Sequence, residues 1–283
     1  MFSNNLKTIH NLKDSIKSYI IEKNIYKTGP NTKYSLDLLL DVIIYVMETG
    51  ISWRSLNSPI HGGRFRWQSF YGFYHKLCTM NVFEIVYMTF LNCYMSKNKS
   101  LKLKYLSTDT MNIKNEYGSN AKCNFGYTGK KRMFKLSLIV DSNGIPLSTI
   151  IDKGSVSDQC LLMANLNNMH IDITYNKPNN KSKRYMLADS IYDTNNIRDT
   201  LKRLNIKPII APNKRKTLDE ELIRRKQLTK SEKKIYRKRT VNENCFSWIN
   251  KNRRLSKRYD KNDEKFKGFL FMSFIKIILK RMK

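Results

Sequence analysis

Acidic residues are scarce. The chain carries 23 Asp and Glu against 53 Lys and Arg in 283 residues, a formal charge of +30 with a pI near 9.9. Such an imbalance repels itself and favours a polyanionic partner, of which nucleic acid is the usual one. Lys and Asn are abundant throughout, as nucleotide bias in a genome would produce. Bias inflates the charge but gives no reason for Arg to cluster at 237, 239, 253, 254 and 258. Cysteines are few, odd in number and unpaired in spacing, at 78, 93, 123, 160 and 245. No C-x-x-C occurs, which excludes a zinc knuckle and a disulfide framework and suits a reducing compartment. The four His (10, 61, 75, 170) are scattered and read as surface or core residues rather than metal ligands. The N-terminus lacks the apolar core of a signal peptide. The most apolar run, Gly268–Leu279, contains Lys276 and is too short to span a bilayer. It reads as a final core helix. No internal repeat is present. A soluble, intracellular, DNA-associated protein with no membrane contact is expected. Apolar residues at 41% and aromatics at 11% are ample for one large or two smaller folded domains.

Residues 1–100 read as helical. Leu6–Ile25 has apolar residues at helical spacing until Gly29-Pro30 breaks it. Ser35 can cap a second helix with an apolar face from Leu38 to Met47, stopped by Gly50. Two more helices are predicted over Arg66–Leu77 and Val82–Met95. Arg64, Arg66, Trp67, Tyr71, Tyr74 and Lys76 could dock on a DNA groove, or their aromatics could simply be bundle core. From Leu101 the pattern turns strand-like. Leu103–Met111 alternates apolar and polar residues, and Asn112–Gly129 reads as loop. Met133–Val140, a turn at Asp141–Gly144 and Ile145–Ile151 read as a hairpin. A helix near Ser157, a strand at Arg184–Asp189, a helix at Asn195–Leu204 and a strand at Ile206–Ala211 follow. Pro208 assigns that last strand to a sheet edge. A charged helix is expected over Asp219–Lys230. The sum is a mixed sheet flanked by helices after a small all-α domain, divided as 1–100 and 101–283.

Tyr236–Leu255 contains no Pro or Gly and reads as one continuous helix. Val241, Cys245, Trp248, Ile249 and Leu255 form its core stripe. Tyr236, Arg239, Glu243 and Asn250 lie opposite, within about a quarter of the circumference. Arg254 and Lys257 continue that polar side. Glu243 is thus an acid among cations and a phenol, which an ordinary i, i+4 surface pair would also explain.

Two further acids stand out by placement. Asp109 interrupts a strand, where propensity disfavours it and something must compensate its charge. Asp189 ends a short apolar strand, a common location for a site in an open α/β sheet. Hydrogen bonds to nearby amides would also account for Asp109, and a cap or turn role for Asp189. With Glu243 they give three carboxylates, at 80 (109 to 189) and 54 (189 to 243) residues' separation. Three hard oxygen donors suit Mg²⁺ or Mn²⁺ rather than zinc. Two such ions, about 4 Å apart, suit phosphodiester exchange.

Taken with their surroundings, these residues resemble a known family. Tyr236-x-x-Arg239-x-x-x-Glu243, with Val241 to Leu255 around it, is similar to the Tyr-x2-Arg-x3-Glu-x6-Lys signature of the DDE transposases of bacterial insertion sequences, in the IS-four and IS-five-like group. Ala188-Asp189-x-x-Tyr192-Asp193 resembles the block holding that family's second acid, and Leu106-Ser-Thr-Asp109-Thr its first-acid strand. Gly129-Lys130-Lys131 to Asp141, then Gly144 and Pro146, follow its loop and hairpin, and Thr49-Gly50 with Trp53-Arg54-x-Leu56 its helical region. The resemblance covers roughly residues 35–283. Asn250 stands where the signature has Lys, and Ser190-Ile191 where the family has Lys-Gly.

The resemblance implies a ribonuclease-H-like fold. It implies metal-dependent strand cleavage and strand transfer by Asp109, Asp189 and Glu243, which would bind two Mg²⁺ or Mn²⁺ ions. It implies double-stranded DNA as partner, both terminal inverted repeats and target, and residues 1–100 as a domain that binds the DNA end. Tyr236, Arg239 and Asn250 would position the DNA backbone, and Lys130, Lys131, Arg253 and Arg254 would hold flanking phosphates. A homodimer on DNA would hold two ends together. Asn250 and Ser190-Ile191 favour the rival reading, a decayed or repurposed transposase that only binds DNA. A nuclease that cuts without joining is a third.

Overall fold

The computed structural model describes residues 2–27, 33–57, 66–96, 102–116, 124–125, 132–169, 184–213, 221 and 227–282. The chain divides into two compact units. A helical unit comprises Met1–Tyr94, Lys114–Ala121 and Trp248–Lys283, and a sheet unit comprises Met95–Ile113 and Lys122–Ser247. This differs from the expected division at residue 100, because the C-terminal stretch belongs with the N-terminal helices.

The reason lies in the C-terminal helix, Asp263–Arg281. It is buried at Phe266 and continuously from Gly268 to Ile278, so it needs cover on every side. Helices α1 (Phe2–Glu22), α2 (Leu36–Thr49), α3 (Trp67–Thr79) and α4 (Val82–Ser96) supply the rest of this unit's core. Leu12, Ile16 and Ile20 recur every fourth residue on the buried side of α1. Ser35 caps α2, its Oγ accepting from Leu38 N at 3.2 Å, and Gly50 ends it at φ 71°. A β-carbon at Gly268 would meet Cys78 Sγ at 2.6 Å and Tyr74 Oη at 2.7 Å, so only glycine lets α3 approach there. Tyr74 stacks on Phe269 at 4.4 Å. Of the aromatics that could have faced DNA, Tyr74 is core, whereas Trp67 and Tyr71 are half-buried.

The sheet unit is built on β1 (Tyr105–Asn115). The strand order is β2-β3-β1-β5-β6, with β4 on β3, where β2 is Asn124–Phe125, β3 Arg132–Val140, β4 Pro146–Lys153, β5 Arg184–Ala188 and β6 Ile206–Ile210. The β3–β4 hairpin is antiparallel, closed by Asp141, whose Oδ1 accepts from Asn143 N at 2.9 Å and Ile145 N at 2.8 Å. β5 runs parallel to β1, and β6 parallel to β5 at the edge of the described sheet, where Pro208 costs no ladder bond to a further strand. This order, a hairpin beside β1 followed by two parallel strands, is the ribonuclease-H-like arrangement. Helix α5 (Asp158–Asn167) packs on β3 and β4 and α6 (Asn195–Arg203) on β6. β1 outlasts its expected end at Met111, and consecutive residues Leu106, Ser107 and Thr108 are buried, so both of its faces are covered there, while β3 and β5 pair with its two edges. The expected helix over Asp219–Lys230 lies mostly outside the described residues.

The continuous helix expected over Tyr236–Leu255 is instead four pieces. They are α7 (Lys230–Tyr236), a 3₁₀ turn (Arg237–Thr240), α8 (Val241–Asn250) and a short helix (Arg253–Ser256). The break after α8 falls at Asn252, whose buried side chain donates to Ser273 Oγ at 2.9 Å while its backbone is extended. Its Nδ2 also donates to Ile249 O at 3.3 Å, and local side-chain bonding to the backbone competes with helix continuation. No described helix is long and apolar enough to cross a membrane.

Candidate active site

The first acid owes its position to β1. Leu106, Ser107 and Thr108 are buried, and Thr108 Oγ1 donates to Leu138 O at 3.0 Å. The strand is thereby fixed up to the residue before Asp109. Parallel pairing puts Ser107 opposite Leu187. Two residues further along each chain stand Asp109, inside β1, and Asp189, just past the carboxyl end of β5, on neighbouring strands about 5 Å apart. Asp109 is partly buried. Burial raises its pKa, Asp189 and Asp158 raise it further, and the Thr110 amide and Arg239 oppose the rise. Asp189 is exposed and caps the 3₁₀ turn Ser190–Tyr192, its Oδ1 accepting from Ser190 N at 2.6 Å. Asp109 Oδ1 likewise accepts from Thr110 N at 2.9 Å. The amide-bonding and capping alternatives are therefore real, and each takes one carboxylate oxygen.

The other oxygen of Asp109 meets a cation. Arg239 Nη1 donates to Asp109 Oδ2 at 2.9 Å, and its Nη2 lies 3.8 Å from Glu243 Oε1. The guanidinium also lies 5.9 Å from the Tyr236 ring centroid. Burial raises the Tyr236 pKa, Asp189 and Asp109 add to that, and Arg239 opposes it. The phenol therefore stays a neutral donor at physiological pH. One arginine, one phenol and the two strand carboxylates share one electrostatic environment. Glu243 is at its rim, with 63% of its side chain exposed.

Sequence reasoning missed the groups that hold this arrangement. Asn242, fully buried on the first turn of α8, donates from Nδ2 to Ser107 Oγ at 2.6 Å. The α8 residue next to Glu243 is thus tied to the β1 residue two before Asp109. Thr110 Oγ1 and the buried Tyr192 hydroxyl share a 2.8 Å hydrogen bond, which ties the far side of Asp109 to the turn after Asp189. A polar residue on the core side of an amphipathic helix was the available signal for Asn242. Asp193, beside the second acid, is occupied by Arg198 at 2.8 Å and by Asn213 N at 3.0 Å.

The remaining candidates divide. Lys130 and Lys131 lie outside the described residues. Arg253 and Asn250 are exposed in the helical unit. Arg254 departs from the expected phosphate contact. It is buried, paired with Asp260 at 2.9 Å, and its guanidinium lies 5.7 Å from the Phe269 ring centroid. The chain break at Asn252 turns it inward, off the polar stripe of an uninterrupted helix.

A family model described as the transposase DDE domain matches residues 106–279. The chain belongs to that family. No curated protein matches this DDE-domain chain. Among solved structures it is similar to a Mos1 transposase paired-end complex with the left transposon end, at 13% identity and a TM-score of 0.26, over 88% of this chain and 78% of that one. It is similar also to the Mos1 strand transfer complex, at 14% identity and 0.26, over 91% and 81%. A Mos1 mariner paired-end complex with Mn gives 13% and 0.26, over 90% and 79%.

Asp109 and Asp189, which feel each other's charge, offer hard oxygens, and Arg239 already presents positive charge to Asp109 Oδ2 as a stand-in for a divalent cation. Among the described residues no three His, Cys, Asp or Glu are grouped closely enough to hold a metal ion. The donor chemistry suits a divalent cation, and in this structure the Arg239 guanidinium stands in the cation's place beside Asp109.

Proposed function

We propose that this DDE-domain protein is the transposase of a bacterial insertion sequence, of the IS-four and IS-five-like group, and that it cleaves and joins DNA strands. The observation that supports this reading is the register of β1 on β5, which pairs Ser107 with Leu187 two residues before Asp109 and Asp189, while Arg239 bonds Asp109 and lies 3.8 Å from Glu243. Asp109, Asp189 and Glu243 are the catalytic carboxylates and the ligands of two Mg²⁺ or Mn²⁺ ions. Ions so held would activate the attacking water or 3′-hydroxyl and stabilise the leaving oxygen of the phosphodiester. Arg239 and the neutral Tyr236 hydroxyl donate to the DNA backbone beside the scissile bond. Asn250 and Arg253 add a hydrogen bond and a charge to flanking backbone, as do Lys130 and Lys131. The helical unit binds the terminal inverted repeats, and two copies hold two ends.

The direct test uses Asp109→Ala, Asp189→Ala and Glu243→Ala with plasmid nicking and joining of a pre-cut 3′ end. Each variant loses both reactions and keeps DNA binding. Mg²⁺-dependent joining surviving in any of the three rejects the assignment. If the native chain binds DNA yet neither nicks nor joins in Mn²⁺, the decayed transposase, favoured by Asn250 and Ser190-Ile191, is correct.

A further inference from the structure

The helical unit holds a cleft of about 650 Å³ that no catalytic argument uses. Its wall carries five cations, Lys23, Lys27, Lys33, Arg66 and Lys76, and no carboxylate among the described residues. Lys23 also pairs with Glu22 at 2.8 Å and Lys76 Nζ donates to Ile25 O at 2.7 Å, so both are held in place while the wall stays positive. Between them are three half-buried rings. Tyr26 meets Phe73 edge to face at 6.1 Å, and the Tyr26 hydroxyl donates to Tyr34 O at 2.8 Å. Arg66 is also the N-cap residue of α3 and makes no side-chain cap, so the positive end of that helix opens on the same wall.

A second observation points to a ligand. Gly72 lines the cleft from the middle of α3. Glycine weakens a helix interior, and packing usually explains its presence. Here a β-carbon would meet nothing within 4 Å. The missing side chain leaves flat backbone facing open space, which suits close approach of a planar group.

We propose that this cleft binds a nucleotide of an unpaired DNA strand, with its phosphates on the lysines and Arg66 and its base on Tyr26 and Phe73 over Gly72. Cationic walls with aromatic platforms are how single strands are held without sequence preference. The volume is that of an ordinary small-ligand pocket, enough for a nucleotide. The inference takes DNA as partner from the proposed function, but it concerns a separate, metal-independent step.

The test measures binding of fluorescein-labelled hexathymidylate to the full chain in EDTA, so that catalysis is silent. Phe73→Ala weakens binding about tenfold, within the usual range for one base–aromatic stack. Gly72→Leu fills the cleft and weakens binding comparably while duplex binding stays unchanged. Gly72→Ala raises Tm by about 2 °C, which reports a folded α3 independently of the ligand. Thymidine monophosphate competes and inorganic phosphate at equal concentration does not. If the monophosphate binds and the oligonucleotide does not, the strand is the wrong source. Undiminished oligonucleotide binding by Gly72→Leu, or equal competition by phosphate, overturns the proposal. Either failure leaves the three-carboxylate reading standing, because no step of that assay requires metal.

Discussion

Arg239 and Asp109, 130 residues apart in sequence, form a charge-assisted hydrogen bond of 2.9 Å, and the same guanidinium is 3.8 Å from Glu243. The arginine therefore competes with any cation for Asp109. Arg239→Gln in the DNA-free protein is expected to tighten Mn²⁺ binding by about tenfold, the equivalent of one part-buried charged hydrogen bond. It should weaken DNA binding at the same time. Titration calorimetry with Mn²⁺ alone measures the first effect. Unchanged or weaker Mn²⁺ affinity would show that the guanidinium does not occupy the cation's place.

Asn242 is expected to act as a positioning residue. Asn242→Ala removes the 2.6 Å bond to Ser107 and should slow single-turnover nicking about ten- to a hundredfold with DNA affinity retained. Ser107→Ala should do the same, and the double variant should add little to either single one. Additive losses would mean that the two side chains act separately.

The Arg254–Asp260 pair is almost wholly buried. Asp260→Ala leaves an uncompensated guanidinium and should destabilise the helical unit by about 3–5 kcal/mol. Urea unfolding followed at the tryptophans provides the measurement, since Trp53, Trp67 and Trp248 all belong to that unit. A loss near zero would indicate that water reaches the pair.

Cysteine reactivity should divide sharply. Burial pushes the Cys78 thiol up to about 12 and raises Cys245 as well, whereas Cys93 and Cys160 are exposed. At pH 8, iodoacetamide should alkylate Cys93 and Cys160 well before Cys78 and Cys245, as read by peptide mass spectrometry. Early labelling of Cys245 would mean that α8 detaches from its core under native conditions.

Local sequence carried much of the fold. Ser35, Gly50, Ser157 and Thr194 mark helix ends by chemistry that acts within a few residues, and the Asp141–Gly144 turn fixes its hairpin in the same way. The strand-end setting of Asp189 and the i, i+4 spacing of Arg239 and Glu243 were also legible. Sequence spacing did not reveal that Arg239 reaches Asp109, because that contact depends on a tertiary approach between β1 and the turn before α8. The break at Asn252 was hidden for a related reason. Its cause is Ser273, which lies 21 residues downstream and reaches Asn252 only once the C-terminal helix has docked. Arg254 looked like a surface cation because helix phase was carried through that break.

The C-terminal helix imposes an order on synthesis. Tyr74, Phe83 and Cys78 have a binding partner in Gly268 and its neighbours, which are made nearly two hundred residues later. Until then α1 to α4 must wait with an uncovered apolar face, while the sheet unit, encoded in the intervening stretch, already has its strands in hand. A stop codon in place of Asp263 would therefore be felt first far back along the chain, as aggregation of α1 to α4.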